Sequence, residues 1–113
     1  MNYTIYHNPR CQKSRQTLEL LQKNGIEPTV VEYIKHPLQE KQLKELLAKL
    51  KLQPSQLIRK KEDKVKKLKL DLENEKQVLQ AMIENPELIE RPIVVKGDKA
   101  ILGRPPENAL TLL

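Results

Sequence analysis

A short polar segment joins an apparent strand to an apparent helix near the start of the chain, and its place at this junction indicates an α/β fold. Its sequence is Tyr6-His7-Asn8-Pro9-Arg10-Cys11-Gln12-Lys13-Ser14-Arg15. This stretch contains the only cysteine of the sequence. The unpaired N–H groups and the positive dipole end at the start of a helix favour the thiolate over the thiol. The pattern therefore predicts that the sulfur of Cys11 is a nucleophile.

The residues around Cys11 suit a negatively charged ligand. Arg10 directly precedes the sulfur, and Arg15 lies one helical turn beyond it on the same face. The hydroxyl of Ser14 can point at the sulfur or at a bound oxygen. His7 either completes a hydrogen bond within the loop or acts electrostatically on the thiolate. Because a helix N-terminus beside guanidinium groups binds small oxyanions, we expect the nucleophile and an anion site to coincide.

A less reactive interpretation of Cys11 has to be weighed. A lone cysteine is most often a small buried hydrophobe, and a polar run with Asn-Pro is most often a turn. Such a cysteine would have apolar neighbours, whereas Cys11 stands among arginine, glutamine and lysine. The context therefore favours a reactive thiol. A single cysteine also excludes an internal disulfide, so a thiol of another molecule must complete any oxidation cycle.

Length and composition indicate one domain of 113 residues with a core of Leu, Ile and Val, since Phe and Trp are absent. No apolar run approaches the roughly 20 residues of a membrane span, and the amino end lacks a secretory signal pattern. We therefore expect a cytoplasmic protein that does not enter the membrane.

The net charge of +6 raises the question of nucleic-acid binding. All three tyrosines fall in or beside predicted strands, which leaves no aromatic platform for bases. Zinc-ligand spacing and Gly-rich phosphate loops are absent too. We expect no nucleic-acid partner and no metal. The basic run at residues 59–69 is typical of a solvated helix face, although Arg59, which follows Leu57 and Ile58, can be held against the protein body.

The first part of the chain predicts a strand at residues 2–6, a helix ending at Asn24-Gly25 and a strand at residues 28–34. Strand, helix and strand form a βαβ unit, so the two strands are parallel. Ligands of such folds bind at the loop that follows the first strand. That loop carries Cys11.

The remainder predicts a helical block and then a hairpin. Apolar spacing predicts helices at about residues 39–50 and 75–84, with a short segment opened by Pro54 between them. Residues 91–95 and 99–102 predict an antiparallel pair, in which Pro92 is a candidate for a cis peptide bond. A short helix closes the chain. We expect an α/β fold: a single domain, residues 1–113, with a helical insertion at about 36–88.

Four motifs, in this order, resemble those of the bacterial glutaredoxin-dependent arsenate reductases: His7-Asn8-Pro9-Arg10-Cys11-x-x-Ser14-Arg15, Leu57-Ile58-Arg59-Lys60, Arg91-Pro92-Ile93-Val94-Val95 and Gly103-Arg104-Pro105. The resemblance covers essentially the whole chain. It implies a thioredoxin-like fold, in which a four-stranded mixed sheet carries an inserted helical subdomain.

The resemblance implies that the protein reduces arsenate to arsenite. Cys11 would attack arsenic, glutathione would attack the adduct as co-substrate, and glutaredoxin would resolve the mixed disulfide, with no bound cofactor. The catalytic residues would be Cys11, His7, Ser14 and Arg15. The substrate-binding residues would be Arg59, Arg91, Arg104 and Asn8. Arginine suits a multiply charged oxyanion because its fork matches two oxygens, but an isolated arginine is more often part of a surface ion pair.

A function of another class stays open. Related thioredoxin-like proteins of the Spx type are transcriptional regulators that bind RNA polymerase, and a basic helical surface suits an acidic protein partner. Those regulators carry two cysteines in a C-x-x-C switch, whereas Ser14 occupies the third position after Cys11 here. This difference argues against a redox switch but not against binding.

Overall fold

The computed structural model describes residues 2–113, and strand β1 (Tyr3–His7) lies inside its four-stranded sheet. β1 pairs in parallel with β2 (Thr29–Glu32) and antiparallel with β3 (Ile93–Lys96). β3 pairs antiparallel with β4 (Lys99–Leu102), which gives the strand order β2-β1-β3-β4. The predicted mixed sheet, with a parallel first pair and an antiparallel hairpin, is therefore confirmed.

The described chain forms two compact units. The sheet unit contains residues 2–36 and 91–113, and the helical unit contains Pro37–Glu90. The single domain with an insertion at about 36–88 stays a prediction. No helix among residues 2–113 is both long enough and apolar enough to cross a bilayer.

The core of the sheet unit lies between the sheet, helix α1 (Gln12–Lys23) and a C-terminal 3₁₀ helix (Pro106–Leu112). Its buried members come from each of these elements, since apolar side chains stabilise the fold most where several elements together exclude water. They are Ile5, Leu21, Val94, Ala109 and Leu112.

Helix α1 begins and ends where the sequence predicts. Cys11 occupies the N-cap position with an extended backbone, and its carbonyl accepts the N–H of Arg15 at 3.0 Å. At the other end Gly25 adopts φ +77°, a left-handed conformation that glycine reaches without a steric penalty. This helix therefore presents its first N–H groups at the end of β1.

The second strand is shorter than predicted. It ends at Glu32 rather than at residue 34, because the N–H groups of both Lys35 and His36 donate to the carbonyl of Glu32 at 3.0 Å and close a turn. Tyr33 is buried within that turn. The third strand also begins later than predicted, at Ile93, after a cis Arg91–Pro92 peptide bond. The Arg104–Pro105 bond, which follows β4, is cis as well.

The helical unit contains α2 (Glu40–Leu50), α3 (Pro54–Leu57), α4 (Asp63–Lys67) and α5 (Glu75–Glu84), followed by a 3₁₀ turn at Pro86–Leu88. Both longer helices match their predicted ranges, and α2 and α3 pack on α5. The apolar spacing of these helices places Leu50 and Ile83 on the inward face, but both are only half-buried. The lysines of α4 are exposed around a buried Val65, as expected of a solvated face.

Candidate active site

Cys11 lies where the loop after β1 meets the first turn of α1, and its side chain is half-buried. The loop is a tight turn: the N–H of Cys11 donates to the carbonyl of Asn8 at 2.9 Å, and the N–H of Arg10 donates to Oδ1 of Asn8 at 3.0 Å. Asn8 therefore uses its amide oxygen in the turn, which leaves its NH₂ group as the donor available to an anion.

The surroundings of the thiol favour its ionised form. Burial raises the pKa of Cys11, but hydrogen bonds from the N–H of Ser14, from the guanidinium of Arg91 and from the N–H of Lys13, together with the charge of Arg91, lower the pKa below its ordinary value. The charged group that contacts the thiol is thus Arg91, which lies two residues before β3. Arg10, which directly precedes the sulfur in sequence, has an exposed side chain.

His7 and Ser14 form a buried pair behind the cysteine. Nδ1 of His7 lies 2.6 Å from Oγ of Ser14, and that oxygen also accepts the N–H of Asn8 at 3.0 Å. Burial lowers the pKa of His7, the charge of Glu32 raises it and that of Arg15 lowers it, so the net direction is downward. In a neutral His7, Nδ1 can accept a hydrogen bond from the Ser14 hydroxyl. The Ser14 hydroxyl, which the sequence suggested could point at the sulfur or at a bound oxygen, instead holds the loop through His7 and Asn8.

Arg15 is exposed, and its Nη1 donates to the carbonyl of Pro9 at 2.8 Å. The contact holds the loop against the first turn of α1. The positive charge of Arg15 also contributes to lowering the pKa of His7.

Arg91 and Arg104 flank the β3–β4 hairpin, one before β3 and the other after β4, and both are half-buried. The two flanking segments lie side by side, because the N–H of Gly103 donates to the carbonyl of Pro92 at 2.8 Å. Asn108 Nδ2 lies 3.2 Å from the carbonyl of Leu102 and 3.3 Å from that of Arg104. The segment that carries Arg104 is thus held at successive residues.

Arg59 belongs to the helical unit. Its Nε lies 3.2 Å from Glu62 Oε1 and 3.5 Å from Glu90 Oε1, and its side chain is only 23% exposed. Its backbone N–H donates to the carbonyl of Leu88 at 2.7 Å. Nη1 of Arg59 is buried, and within residues 2–113 it has no hydrogen-bond partner. This guanidinium is therefore anchored at one nitrogen and has a donor left at another.

Sequence reasoning missed Thr17. It is fully buried on the inner face of α1, and its hydroxyl lies 2.8 Å from the carbonyl of Lys13 and 3.2 Å from that of Gly103. Its position one turn after Ser14 on the inward face was the available signal. Within residues 2–113, no three His, Cys, Asp or Glu side chains are grouped so as to hold a metal ion.

Comparison with known proteins agrees with this arrangement. A model of the ArsC family matches residues 6–112. An arsenate reductase of Haemophilus influenzae is 42% identical, with both chains covered completely, and the uncharacterised protein YfgD of Escherichia coli K12 is 49% identical over 96% of this chain and 94% of its own. The solved structure of an arsenate reductase from Vibrio cholerae superimposes with a TM-score of 0.93 at 42% identity, covering 100% of this chain and 98% of the other. The predicted thioredoxin-like fold is thereby confirmed.

Proposed function

Because this chain belongs to the ArsC family, we propose that it is an arsenate reductase, which reduces arsenate to arsenite with Cys11 as the nucleophile. The observation that carries the proposal is the contact between the guanidinium of Arg91 and a thiol whose pKa is lowered. A thiolate beside a fixed cation can attack an anionic substrate without the full cost of charge repulsion.

In the first step the Cys11 thiolate attacks arsenic, an As–S bond forms and one arsenate oxygen leaves as hydroxide. The start of α1 supports this step in two ways. The N–H groups of Lys13 and Ser14 lower the thiol pKa, and N–H groups at a helix start also favour the oxygens of a bound anion. Nucleophile activation and substrate binding then depend on the same few atoms.

In the second step a glutathione thiolate attacks the sulfur of Cys11. The As–S bond breaks with its electron pair staying on arsenic, so arsenic(V) becomes arsenic(III) and leaves as arsenite. Cys11 and glutathione are then joined by a mixed disulfide. A glutaredoxin thiolate attacks the glutathione sulfur and releases the Cys11 thiolate. An external reductant is required because the sequence has one cysteine, and the cytoplasm keeps glutathione reduced.

Arg91 and Arg104 would bind the arsenate oxygens, and the family resemblance also predicts Arg59 as a substrate ligand. Arg91 is supported by its contact with the thiol, and Arg104 by the proximity of its segment to Pro92. The role of Arg59 rests on the resemblance alone. The NH₂ group of Asn8 would contribute a neutral hydrogen bond.

His7, Ser14 and Arg15 would act from behind the nucleophile. The His7–Ser14 hydrogen bond joins the end of β1 to α1, and the hydrogen bond from Arg15 to the Pro9 carbonyl joins the loop to α1. Together they would keep the orientation of the sulfur unchanged between attack and release. This arrangement supports a positioning role for all three in the proposed reaction.

The deciding experiment measures arsenate-dependent NADPH oxidation in the presence of glutathione, glutaredoxin and glutathione reductase. The parent protein should turn over, and Cys11→Ser should be inactive because a serine hydroxyl is a far weaker nucleophile at neutral pH. Equal rates for the two proteins would remove Cys11 from the mechanism, and inactivity of the parent would reject arsenate as substrate.

The arginine assignments need their own variants in the same assay. Arg91→Ala, Arg104→Ala and Arg59→Ala should each raise KM for arsenate by about tenfold to about a hundredfold, because a charge-assisted contact contributes about 1.5–3 kcal/mol. Lys44→Ala, an exposed cation on α2, is the control and should leave KM unchanged. An arginine variant with parental KM would lose its place among the substrate ligands.

A further inference from the structure

The Thr17 hydroxyl, whose single hydrogen is shared between two carbonyls, links α1 to the segment carrying Arg104. The hydroxyl lies 3.2 Å from the carbonyl of Gly103, 86 residues away in sequence, and both residues are buried. The same hydroxyl lies 2.8 Å from the carbonyl of Lys13, one helical turn back. That local contact alone would satisfy the hydroxyl, as often happens to threonine in helices. The contact with Gly103 is the additional feature that requires an explanation.

Gly103 is packed without clearance between two side chains. A Cβ atom at this position would lie 2.8 Å from Thr17 Oγ1, 3.0 Å from Thr17 Cγ2 and 2.8 Å from Pro92 Cγ. Real Cβ atoms essentially never come this close to other heavy atoms, so only glycine fits without a shift. The backbone of Gly103 therefore transmits the position of α1 directly to Pro92.

These contacts close a ring that begins and ends at the nucleophile. Cys11 and Thr17 are fixed relative to each other by α1, Thr17 contacts Gly103, and the N–H of Gly103 donates to the carbonyl of Pro92. Arg91 precedes Pro92 and reaches back to the Cys11 thiol. Any displacement of Gly103 from α1 would therefore change the position of the Arg91 guanidinium relative to the Cys11 thiol.

We propose that Thr17 is a positioning residue, which holds the Gly103 and Pro92 segments against α1 and so keeps Arg91 in contact with the sulfur of Cys11. Thr17 acts through the backbone of Gly103. The inference deepens the proposed function, since it names what places the cation beside the nucleophile.

The test follows the rate of Cys11 alkylation by iodoacetamide as a function of pH, and it needs no arsenate. Arg91 is the charged side chain that acts on the thiol, so a change in its placement should be visible in this profile. Thr17→Val keeps the volume and removes the hydroxyl. We expect alkylation at neutral pH to slow about threefold, with the midpoint of the profile moved toward that of free cysteine.

Two further variants separate positioning from general loosening. Thr17→Ser restores the hydroxyl and should restore the parental profile. Tyr3→Phe removes a comparable hydroxyl-to-carbonyl hydrogen bond in the same unit, from Tyr3 to Leu112 at 3.2 Å, and should leave the profile unchanged. The proposal would be overturned if Thr17→Val had the parental profile, or if Thr17→Ser kept the shift seen in Thr17→Val. It would also be overturned if Tyr3→Phe shifted the profile as much as Thr17→Val.

Gly103→Ala tests the same ring without removing a hydrogen-bonding group. The added methyl must push Thr17 and Pro92 apart, so the alkylation profile should shift in the same direction as for Thr17→Val. This variant also decides the matter if Thr17→Val does not fold, as judged by circular dichroism. A folded Gly103→Ala protein with a parental profile would overturn the proposal.

The arsenate assay distinguishes failure of this inference from failure of the proposed function. If the parent does not reduce arsenate, the proposed function fails while the alkylation profiles still decide the role of Thr17.

Discussion

Nδ1 of His7 and Oγ of Ser14 are 2.6 Å apart in a buried pair that lies directly behind the nucleophile. The Ser14 oxygen serves two elements at once, because the N–H of Asn8 also donates to it at 3.0 Å. The pair therefore ties the last residue of β1, the loop and the first turn of α1 to a single atom. The stability of the loop should depend on that oxygen.

Ser14→Ala removes this shared oxygen and leaves two groups without a partner. We expect the free energy of unfolding to fall by about 1–3 kcal/mol, because a buried donor or acceptor without a partner pays its full desolvation cost. Urea denaturation monitored by circular dichroism measures the change. Thr111→Ala removes an exposed hydroxyl bonded to the Asn108 carbonyl and should cost less than about 0.5 kcal/mol. Similar losses in both variants would contradict the special role of the Ser14 oxygen.

The lowered pKa of His7 makes stability depend on pH. In the folded protein the imidazole resists protonation because it is buried, so in the window below about pH 6.5 the unfolded chain binds the proton first. The contribution of neutral His7 to the free energy of unfolding is therefore complete above about pH 6.5 and is lost as pH falls through the folded-state pKa. His7→Gln should therefore flatten the fall in unfolding free energy below about pH 6.5.

The control for this pH dependence is His36→Gln. His36 is exposed, so its replacement should leave the parental slope in place. Denaturation midpoints between about pH 5 and about pH 8 give the comparison. A parental slope in His7→Gln would show that burial of this imidazole does not control the titration.

Arg91 and Arg10 give a direct contrast between a contact in space and a neighbour in sequence. Arg91→Ala should slow iodoacetamide alkylation of Cys11 at neutral pH by about three- to tenfold, since it removes both a hydrogen bond and a positive charge from the thiolate. Arg91→Lys keeps the charge but not the planar fork, so its alkylation rate should lie between those of the parent and of Arg91→Ala. Arg10→Ala should react like the parent, because its side chain is exposed. Slower alkylation in Arg10→Ala than in Arg91→Ala would contradict the assignment.

Glu90 anchors Arg59 within the helical unit at an Nε–Oε1 distance of 3.5 Å. Glu90→Gln removes its charge, and Glu62 retains the other contact, so unfolding free energy should fall by less than about 1 kcal/mol. Urea denaturation at low and high salt measures the change, and salt should reduce it. Glu19→Gln, in an exposed pair with Lys23 at 3.4 Å, is the control and should cost less. A larger loss in Glu19→Gln would mean that Arg59 is not held as described.

Features that depend on neighbouring residues were predictable from the sequence. The position of Cys11 at the start of α1 and the end of that helix before Gly25 follow from local rules, and the structure agrees with both. The end of β2 was not predictable, since nothing in an apolar run indicates that the Glu32 carbonyl will accept two N–H groups and close a turn. Apolar character specifies burial but not where backbone pairing stops.

Features that depend on distant residues were not accessible from spacing. Arg91 stands eighty positions after Cys11, and only the resemblance to a family placed it in the site. Spacing instead favoured Arg10, whose side chain is exposed. Thr17 was missed for the same reason, because a threonine on an amphipathic helix gives no sign of a glycine carbonyl from the far end of the chain.

The sheet unit combines residues 2–36 with residues 91–113. Strand β1 pairs with β3 although, in sequence, the residues of the helical unit come between the two strands. During synthesis on a ribosome, β1 has only β2 as a strand partner until the residues after Glu90 have emerged. Arg91 is absent for the same interval, so the Cys11 thiol of the nascent chain lacks the guanidinium that helps to lower its pKa. Its sulfur can gain the contact with Arg91 only after the residues beyond Glu90 have been synthesised.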